Sequence, residues 1–341
     1  MDVDSLEKNA RQLVSPGKGV LATDATDSTM DKRMEASGIE PNSELRRKFR
    51  ELLLTTKGIS EFISGVILND EIIRQKTSDG IEFAKLIENQ GILPGIKVDK
   101  KAHEMANFPG EKIAEGLDGL RDRFAEYKQM GARFAKWRAV ITIGDGIPTD
   151  VCIESNAEAL ARYTALAQEA GFVPIVEPEV LMDGNHNIDS CALATKRTLK
   201  VVFNYLAKHK VYLSGIILKP NMIIPGKESG QEVSTEEIVN KTLLILKEVV
   251  PNDVAGICFL SGGQNSEDAT LRLNEMNKES GLPWPLSFSF ERALEGPALD
   301  VWKGDDSNWE AAQQAFYKRA RLNSLARSGE YKKEMEGNDG K

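Results

Sequence analysis

A chain of 341 residues with 44 lysines and arginines against 52 aspartates and glutamates has a formal net charge of -8, which argues against general nucleic-acid binding because a polyanion favours a net cationic surface. The 41% hydrophobic content is that of a globular protein with a sizeable core, and no apolar run reaches the length of a bilayer span. Cys152, Cys191 and Cys258 are odd in number and widely spaced, so they read as reduced thiols in a cytoplasmic protein rather than a disulfide framework.

The opening segment MDVDSLEKNARQLV predicts an amphipathic helix and lacks the layout of a signal peptide. Eight short apolar runs follow in chain order: KGVLATD (18–24), GVILND (65–70), LPGIKVD (93–99), RFAKWRAVI (133–141), VPIVEPE (173–179), SGIILKP (214–220), AGICFLSGG (255–263) and PLSFSFERAL (285–294). Near-continuous Val/Ile/Leu runs suit parallel strands buried on both faces. Helices are expected between them. One follows Ser155 and stops at Gly171; two more open on capping boxes, Ser234 with Glu237 and Ser307 with Glu310, the last running to about Gly329.

Strands alternating with helices mean right-handed crossovers and a parallel sheet. Eight such units predict the α/β class and a closed (β/α)8 TIM barrel. No Gly-x-Gly-x-x-Gly follows the first strand, so a dinucleotide-binding sheet is not supported. The expected layout is a single barrel domain over residues 1–330 and a polar, mobile tail over 331–341, with no linker between domains.

Active sites of this barrel sit at the carboxyl ends of the strands, and ionisable groups gather there. The first run ends on Asp24, the third carries Lys97, the fourth Lys136 and Arg138, the fifth Glu177 and Glu179, and the sixth Lys219. The seventh ends on Ser261-Gly262-Gly263, and the eighth carries Arg292. Charges inside apolar strands are costly unless paired or functional. Period-2 spacing puts Lys136 with Arg138 on one face and Glu177 with Glu179 on another, so two cations can face two carboxylates at the barrel mouth. A lone strand-end lysine is ordinarily a surface group with a buried stem. Lys219, preceded by an apolar run and surrounded by other strand-end charges, has the surroundings of a nucleophilic amine, with Lys136 as a neighbouring cation. The glycine turn and Arg292 suit a phosphate, because close backbone N–H groups and a guanidinium fork both meet its oxygens. His103, His186 and His209 fall in separate, mostly polar stretches and are expected to be exposed or at helix ends, not metal ligands.

Taken together, GIKVDK, FAKWR, PIVEPE, LKPNM, FLSGGQ and FSFERAL resemble the signature segments of class I fructose-bisphosphate aldolase, in that family's order and over nearly the whole chain. The resemblance implies reversible cleavage of fructose 1,6-bisphosphate to dihydroxyacetone phosphate and glyceraldehyde 3-phosphate, without metal or cofactor. Lys219 then matches the Schiff-base amine and Glu177 the general acid/base of its formation and hydrolysis. Asp24, Lys136 and Glu179 match the charged set around the hydroxyl that loses its proton, and Arg138 matches a member of that polar set that can also reach the distal phosphate. Ser261, Gly262 and Arg292 match the site for the phosphate next to the ketose carbonyl, and Lys97 a contact to the other phosphate. A homotetramer is implied on the same ground. The rival readings are an aldolase preferring another bisphosphate, such as sedoheptulose 1,7-bisphosphate, and a non-catalytic scaffold protein that kept the barrel.

Three features depart from the family's pattern. Ala25 stands where a glutamate is usual, with Thr26 and Thr29 in place of two phosphate-facing serines; Glu291 stands where glycine is common. The tyrosine that ends many animal members has no counterpart, since the last tyrosine, Tyr331, looks internal.

Overall fold

The computed structural model describes residues 2–337. Ten strands occur in chain order: β1 (Gly19–Ala22), β2 (Ile63–Leu68), β3 (Leu93–Lys97), β4 (Ala102–Glu104), β5 (Lys112–Ala114), β6 (Phe134–Ile141), β7 (Val173–Val180), β8 (Ile217–Leu218), β9 (Gly256–Phe259) and β10 (Leu286–Phe290). Eight of them close into a barrel in the order β1-β10-β9-β8-β7-β6-β3-β2, every neighbouring pair parallel. The remaining two form a small antiparallel hairpin, β4–β5, beyond the end of β3.

Twelve α-helices accompany the strands among the described residues. They are α1 (Val3–Leu13), α2 (Asp27–Ala36), α3 (Ser43–Leu54), α4 (Asp70–Ile73), α5 (Phe83–Asn89), α6 (Leu120–Gln129) and α7 (Asp150–Ala170), then α8 (Ile188–Lys208), α9 (Thr235–Val249), α10 (Ser266–Asn277), α11 (Arg292–Trp302) and α12 (Trp309–Arg327). They cover the outer face, which is why β1, β2, β7, β9 and β10 are buried at every position and why their sequences show no polar alternation.

The barrel interior is packed, not hollow. Val20, Ile67, Phe134, Val173, Ile175, Ile217 and Cys258 meet inside it, and Leu6, Ala10, Leu13 and Val14 of the α1 segment join the same cluster from below. The first helix therefore seals the amino-terminal end of the barrel. Glycines make room for the largest of these side chains: a Cβ on Gly95 would stand 2.2 Å from the Phe134 ring, and one on Gly256 2.7 Å from Val14. With the floor filled, only the carboxyl ends of the strands are left to form a cavity.

Several expected boundaries move. The long helix expected after Ser155 begins six residues earlier, because Thr149 caps it by accepting from the Cys152 amide; Gly171 ends it with φ 83°, as a left-handed C-terminal glycine should. Ser234 does cap α9 by accepting from the Glu237 amide. Ser307 caps nothing; it lies in a short 3-10 turn whose amide is taken by Asp305, and α12 follows at Trp309. The eighth strand stops at Phe290, so Arg292 is the first residue of a helix and not part of a strand. The β4–β5 hairpin was not foreseen; its polar sequence carries no alternation to signal it.

Residues 331–337 are docked rather than mobile. Tyr331 is 3% exposed, its amide donates to Asn274, and its hydroxyl donates to Glu336, which Arg319 grips at 2.6 Å. Tertiary contacts of a buried aromatic outweigh the polar composition here. The rest of the expected tail, 338–341, lies outside the described residues.

Gly95→Ala is expected to destabilise the fold by about 3 kcal/mol or more, the upper range for overpacking a filled core, because a β-strand backbone and the Phe134 ring would both have to move. Urea unfolding followed by circular dichroism checks it, and a midpoint equal to wild type would contradict the packing described.

Candidate active site

Seven barrel strands and the loops after them deliver side chains to one cavity of about 710 Å³. It is lined by nine lysines and arginines against six aspartates and glutamates, so a chain of net charge -8 presents its cations where the strands end. Every residue singled out from the sequence lines it: Asp24, Thr26, Thr29, Lys97, Lys136, Arg138, Glu177, Glu179, Lys219, Ser261, Gly262 and Arg292. A larger groove of about 1200 Å³ lies on the outside between α10, α11 and α12, where no strand end reaches.

At the centre are Lys136, Glu177 and Lys219, each only 3% exposed. Strand register brings them together: Lys136 pairs with Lys97 on one side and Ile175 on the other, two residues before Glu177 on the inward face. Lys219 follows the two-residue β8 and is pinned by its amide, which donates to Val176 O at 2.8 Å. The next residue is fixed from the other side, since Pro220 O accepts from the Leu260 amide. Asn221, also buried, accepts from the Val180 amide and donates to Thr195.

Glu177 sits between the two lysines. Its Oε1 is 3.1 Å from Lys219 Nζ and its Oε2 is 3.2 Å from Lys136 Nζ, an ionic contact without hydrogen-bond geometry. Lys136 in turn lies 2.7 Å from Asp24. Burial would push the Asp24 carboxyl up, but Lys136, Lys219 and Lys97 outweigh it and hold it below the usual carboxylate range. Burial would likewise lower the Lys136 ammonium, and Asp24, Glu177 and Asp99 outweigh that and raise it. Lys136 is therefore a firmly charged cation beside the Lys219 amine. One strand position further out, Arg138 Nε donates to Glu179 at 2.5 Å. Burial works against the Arg138 charge, and Glu179 more than restores it.

Around this core two regions of the wall suit anions. On one side Ser261 is buried and Gly262 and Gly263 have φ 60° and 88°, a turn that L side chains rarely adopt. A Cβ on Gly263 would lie 2.9 Å from the Arg292 guanidinium, so the missing side chain is what lets arginine approach the turn. On the other side Thr26 and Thr29 hydroxyls pair at 2.9 Å at the start of α2, and Lys97 is held 2.8 Å from Asp99.

Sequence reasoning missed Asp99, which braces both Lys97 and the Arg138 amide, and Arg33, which lines the cavity from α2. Both had a signal. Asp99 is two residues past Lys97 in the same run, and Arg33 lies on the helical face of Thr26 and Thr29. Glu291 turns its side chain to Arg33, 2.9 Å away. Among the described residues no group of three or more His, Cys, Asp or Glu is placed to hold a metal ion. His103 is exposed and His209 caps the end of α8. His186, expected to be exposed or at a helix end, directly precedes the α8 cap but is buried with neither ring nitrogen paired, and burial lowers its basicity. No described helix is long and apolar enough to cross a membrane.

Comparison with known proteins gives a consistent result. The family model described as fructose-bisphosphate aldolase class-I matches residues 5–341. A probable fructose-bisphosphate aldolase class 1 of Xanthomonas campestris is 53% identical over 333 residues, covering 97% of this chain and 100% of that one. Fructose-bisphosphate aldolase 4, cytosolic, of Arabidopsis thaliana is 46% identical over 97% of this chain and 85% of its own. A solved structure of fructose-bisphosphate aldolase from Plasmodium falciparum superposes with a TM-score of 0.94 at 42% identity, covering 96% of this chain and 95% of that one.

Asp24→Asn is expected to cost about 3 kcal/mol of stability at neutral pH, the low end for breaking a buried pair, since Lys136 keeps Glu177. Because the Asp24 carboxyl is depressed in the fold, its contribution is fully present above the unfolded value of about 3.9 and is lost as pH falls through the lower folded value. Denaturation of both proteins at pH 7 and near pH 3 checks this: the gap should narrow in acid.

Proposed function

The chain belongs to the class-I fructose-bisphosphate aldolase family, and from that premise we propose how its residues carry out the reaction. It reversibly cleaves fructose 1,6-bisphosphate to dihydroxyacetone phosphate and glyceraldehyde 3-phosphate through a lysine Schiff base. Lys219 is the amine. The observation that carries this assignment is its place, buried at the end of β8 with its nitrogen 3.1 Å from Glu177 and a permanently charged Lys136 on that carboxylate's other oxygen.

The free amine of Lys219 adds to the ketose carbonyl carbon, and its proton passes to the alkoxide that forms. Glu177, which took a proton from the Lys219 ammonium 3.1 Å away when the free amine formed, donates it to the leaving hydroxyl, so water departs and an iminium remains. The iminium draws electrons from the adjacent carbon–carbon bond. As the bond breaks, the hydroxyl on the departing half gives its proton to one of the two carboxylates in the set around it, Asp24 or Glu179, while Lys136 and Arg138 keep theirs. The Lys136 ammonium stabilises the oxyanion that develops there. Glyceraldehyde 3-phosphate leaves, the enamine takes a proton on carbon, and water returns by the reverse of the first steps to free dihydroxyacetone phosphate. Tyr331 is docked against Glu336, so its hydroxyl is not the group that gives the enamine its proton.

The two ends of the substrate are held by the two anion-suited walls. Ser261, Gly262 and Arg292 take the phosphate beside the carbonyl; Lys97, Arg138, Thr26 and Thr29 take the other. Threonine keeps the hydroxyl of the serine usual at those two positions, and supports the same contact. The relatives whose names include cytosolic support a cytoplasmic setting for this chain, and the family resemblance alone supports a homotetramer.

Borohydride reduction in the presence of dihydroxyacetone phosphate is expected to fix a three-carbon adduct on Lys219, located by peptide mapping. Lys219→Ala should lower kcat by at least about ten-thousandfold and Glu177→Gln by about a hundredfold or more. Turnover in a coupled assay should survive EDTA; loss of activity on chelation, or an adduct on another lysine, would contradict the mechanism.

A further inference from the structure

Among the carboxylates lining a cavity with more cations than anions, Glu291 is next in sequence to Arg292, a residue assigned to the carbonyl-side phosphate. Glu291 stands at the N-cap position of α11, beside Arg292, yet caps no backbone amide. Its side chain crosses to α2, where Oε1 lies 2.9 Å from Arg33 Nη1. The same nitrogen is held at 3.1 Å by Glu295, one turn further along α11. The two carboxylates differ in kind. Glu295 is buried, and burial pushes its carboxyl up although Arg50 and Arg33 pull the other way. Glu291 is 28% exposed at the side chain and can swing into water. Arg292, by contrast, has no hydrogen-bond or ion-pair partner among the described residues. Of Arg292 and Arg33, which both line the cavity, the first is free to meet an anion and the second is held.

We propose that Glu291 is a built-in competitor for phosphate, holding Arg33 until a phosphate dianion displaces it, and that it thereby sets the affinity of the site. The inference rests on reading the Ser261-Gly262-Gly263 turn with Arg292 as a phosphate site. A dianion with three oxygens offers Arg33 more charge and more acceptors than one carboxylate does, so the exchange favours phosphate. The carboxylate swings outward at little desolvation cost, and Glu295 keeps the guanidinium in position during the exchange. What remains is repulsion between Glu291 and the bound dianion, felt in the ground state and the transition state alike, so it acts on binding rather than on bond cleavage.

The test uses inorganic phosphate as a competitive inhibitor of the intact enzyme, together with KM and kcat for fructose 1,6-bisphosphate. In Glu291→Gln the inhibition constant and KM are expected to fall about three- to tenfold, with kcat within about twofold. The gain should shrink at high salt and shrink further when Arg33→Ala is added, which leaves only the direct repulsion. Glu291→Ala, which also removes the charge, should reproduce the gain and stands in if the glutamine variant does not fold. Phosphate bound no more tightly by either folded variant overturns the proposal. Arg292→Ala separates the two readings. Weakened phosphate inhibition there, with no gain in the Glu291 variants, removes only the competitor role; inhibition unchanged by Arg292→Ala removes the phosphate site and the competitor together.

Discussion

Three side chains that water would normally keep, Lys136, Glu177 and Lys219, are buried at the mouth of this barrel with Asp24 beside them, and the rest of the site depends on how that burial is compensated. A desolvated charge costs several kcal/mol unless it is matched. Here the match is an alternating chain, Asp24 to Lys136 to Glu177 to Lys219, in which each inner member has an opposite charge on two sides. The end of the chain is the amine. It is the one cation of the chain with a carboxylate on one side only.

That chain can exist only because four strands arrive in the right register. The cavity is not carved into a single element; it is the leftover space above a barrel filled by Phe134, Ile67, Ile175 and their neighbours. The strands hold the charged side chains in register, and the loops after them add the parts suited to anions, namely the glycine turn after β9 and the threonines that open α2. The same division explains where variation is tolerated. Ala25 and Glu291 both depart from the family's usual residues, and both lie beyond strand ends; the strand-borne charges keep the pattern.

Most of the architecture was legible because buried parallel strands leave unbroken apolar runs, and because a charge at the end of such a run is conspicuous. Period-2 reasoning placed Lys136 with Arg138 and Glu177 with Glu179 correctly, since a strand fixes which neighbours share a face. What stayed hidden depends on partners far apart in sequence. Nothing near Glu291 announces that its side chain reaches back to Arg33, and nothing near Ser307 announces that Asp305 takes the amide instead. The docking of Tyr331 is of the same kind, because Asn274 and Arg319 decide it from other helices. The start of α7 at Thr149 was missed for a local reason: two serviceable capping residues, Thr149 and Ser155, lie within one chain segment, and only the first has the extended backbone that a cap requires.

The plug at the barrel's floor has a consequence for how this chain is made. Val14 leans on Gly256 of β9, and β1 finds one of its two neighbours in β10, so early segments of the chain have partners that emerge from a ribosome long after them. Until those arrive, an oily helix and two unpaired strand edges stay uncovered. Closing the ring is therefore a late event in folding, built on contacts far apart in sequence.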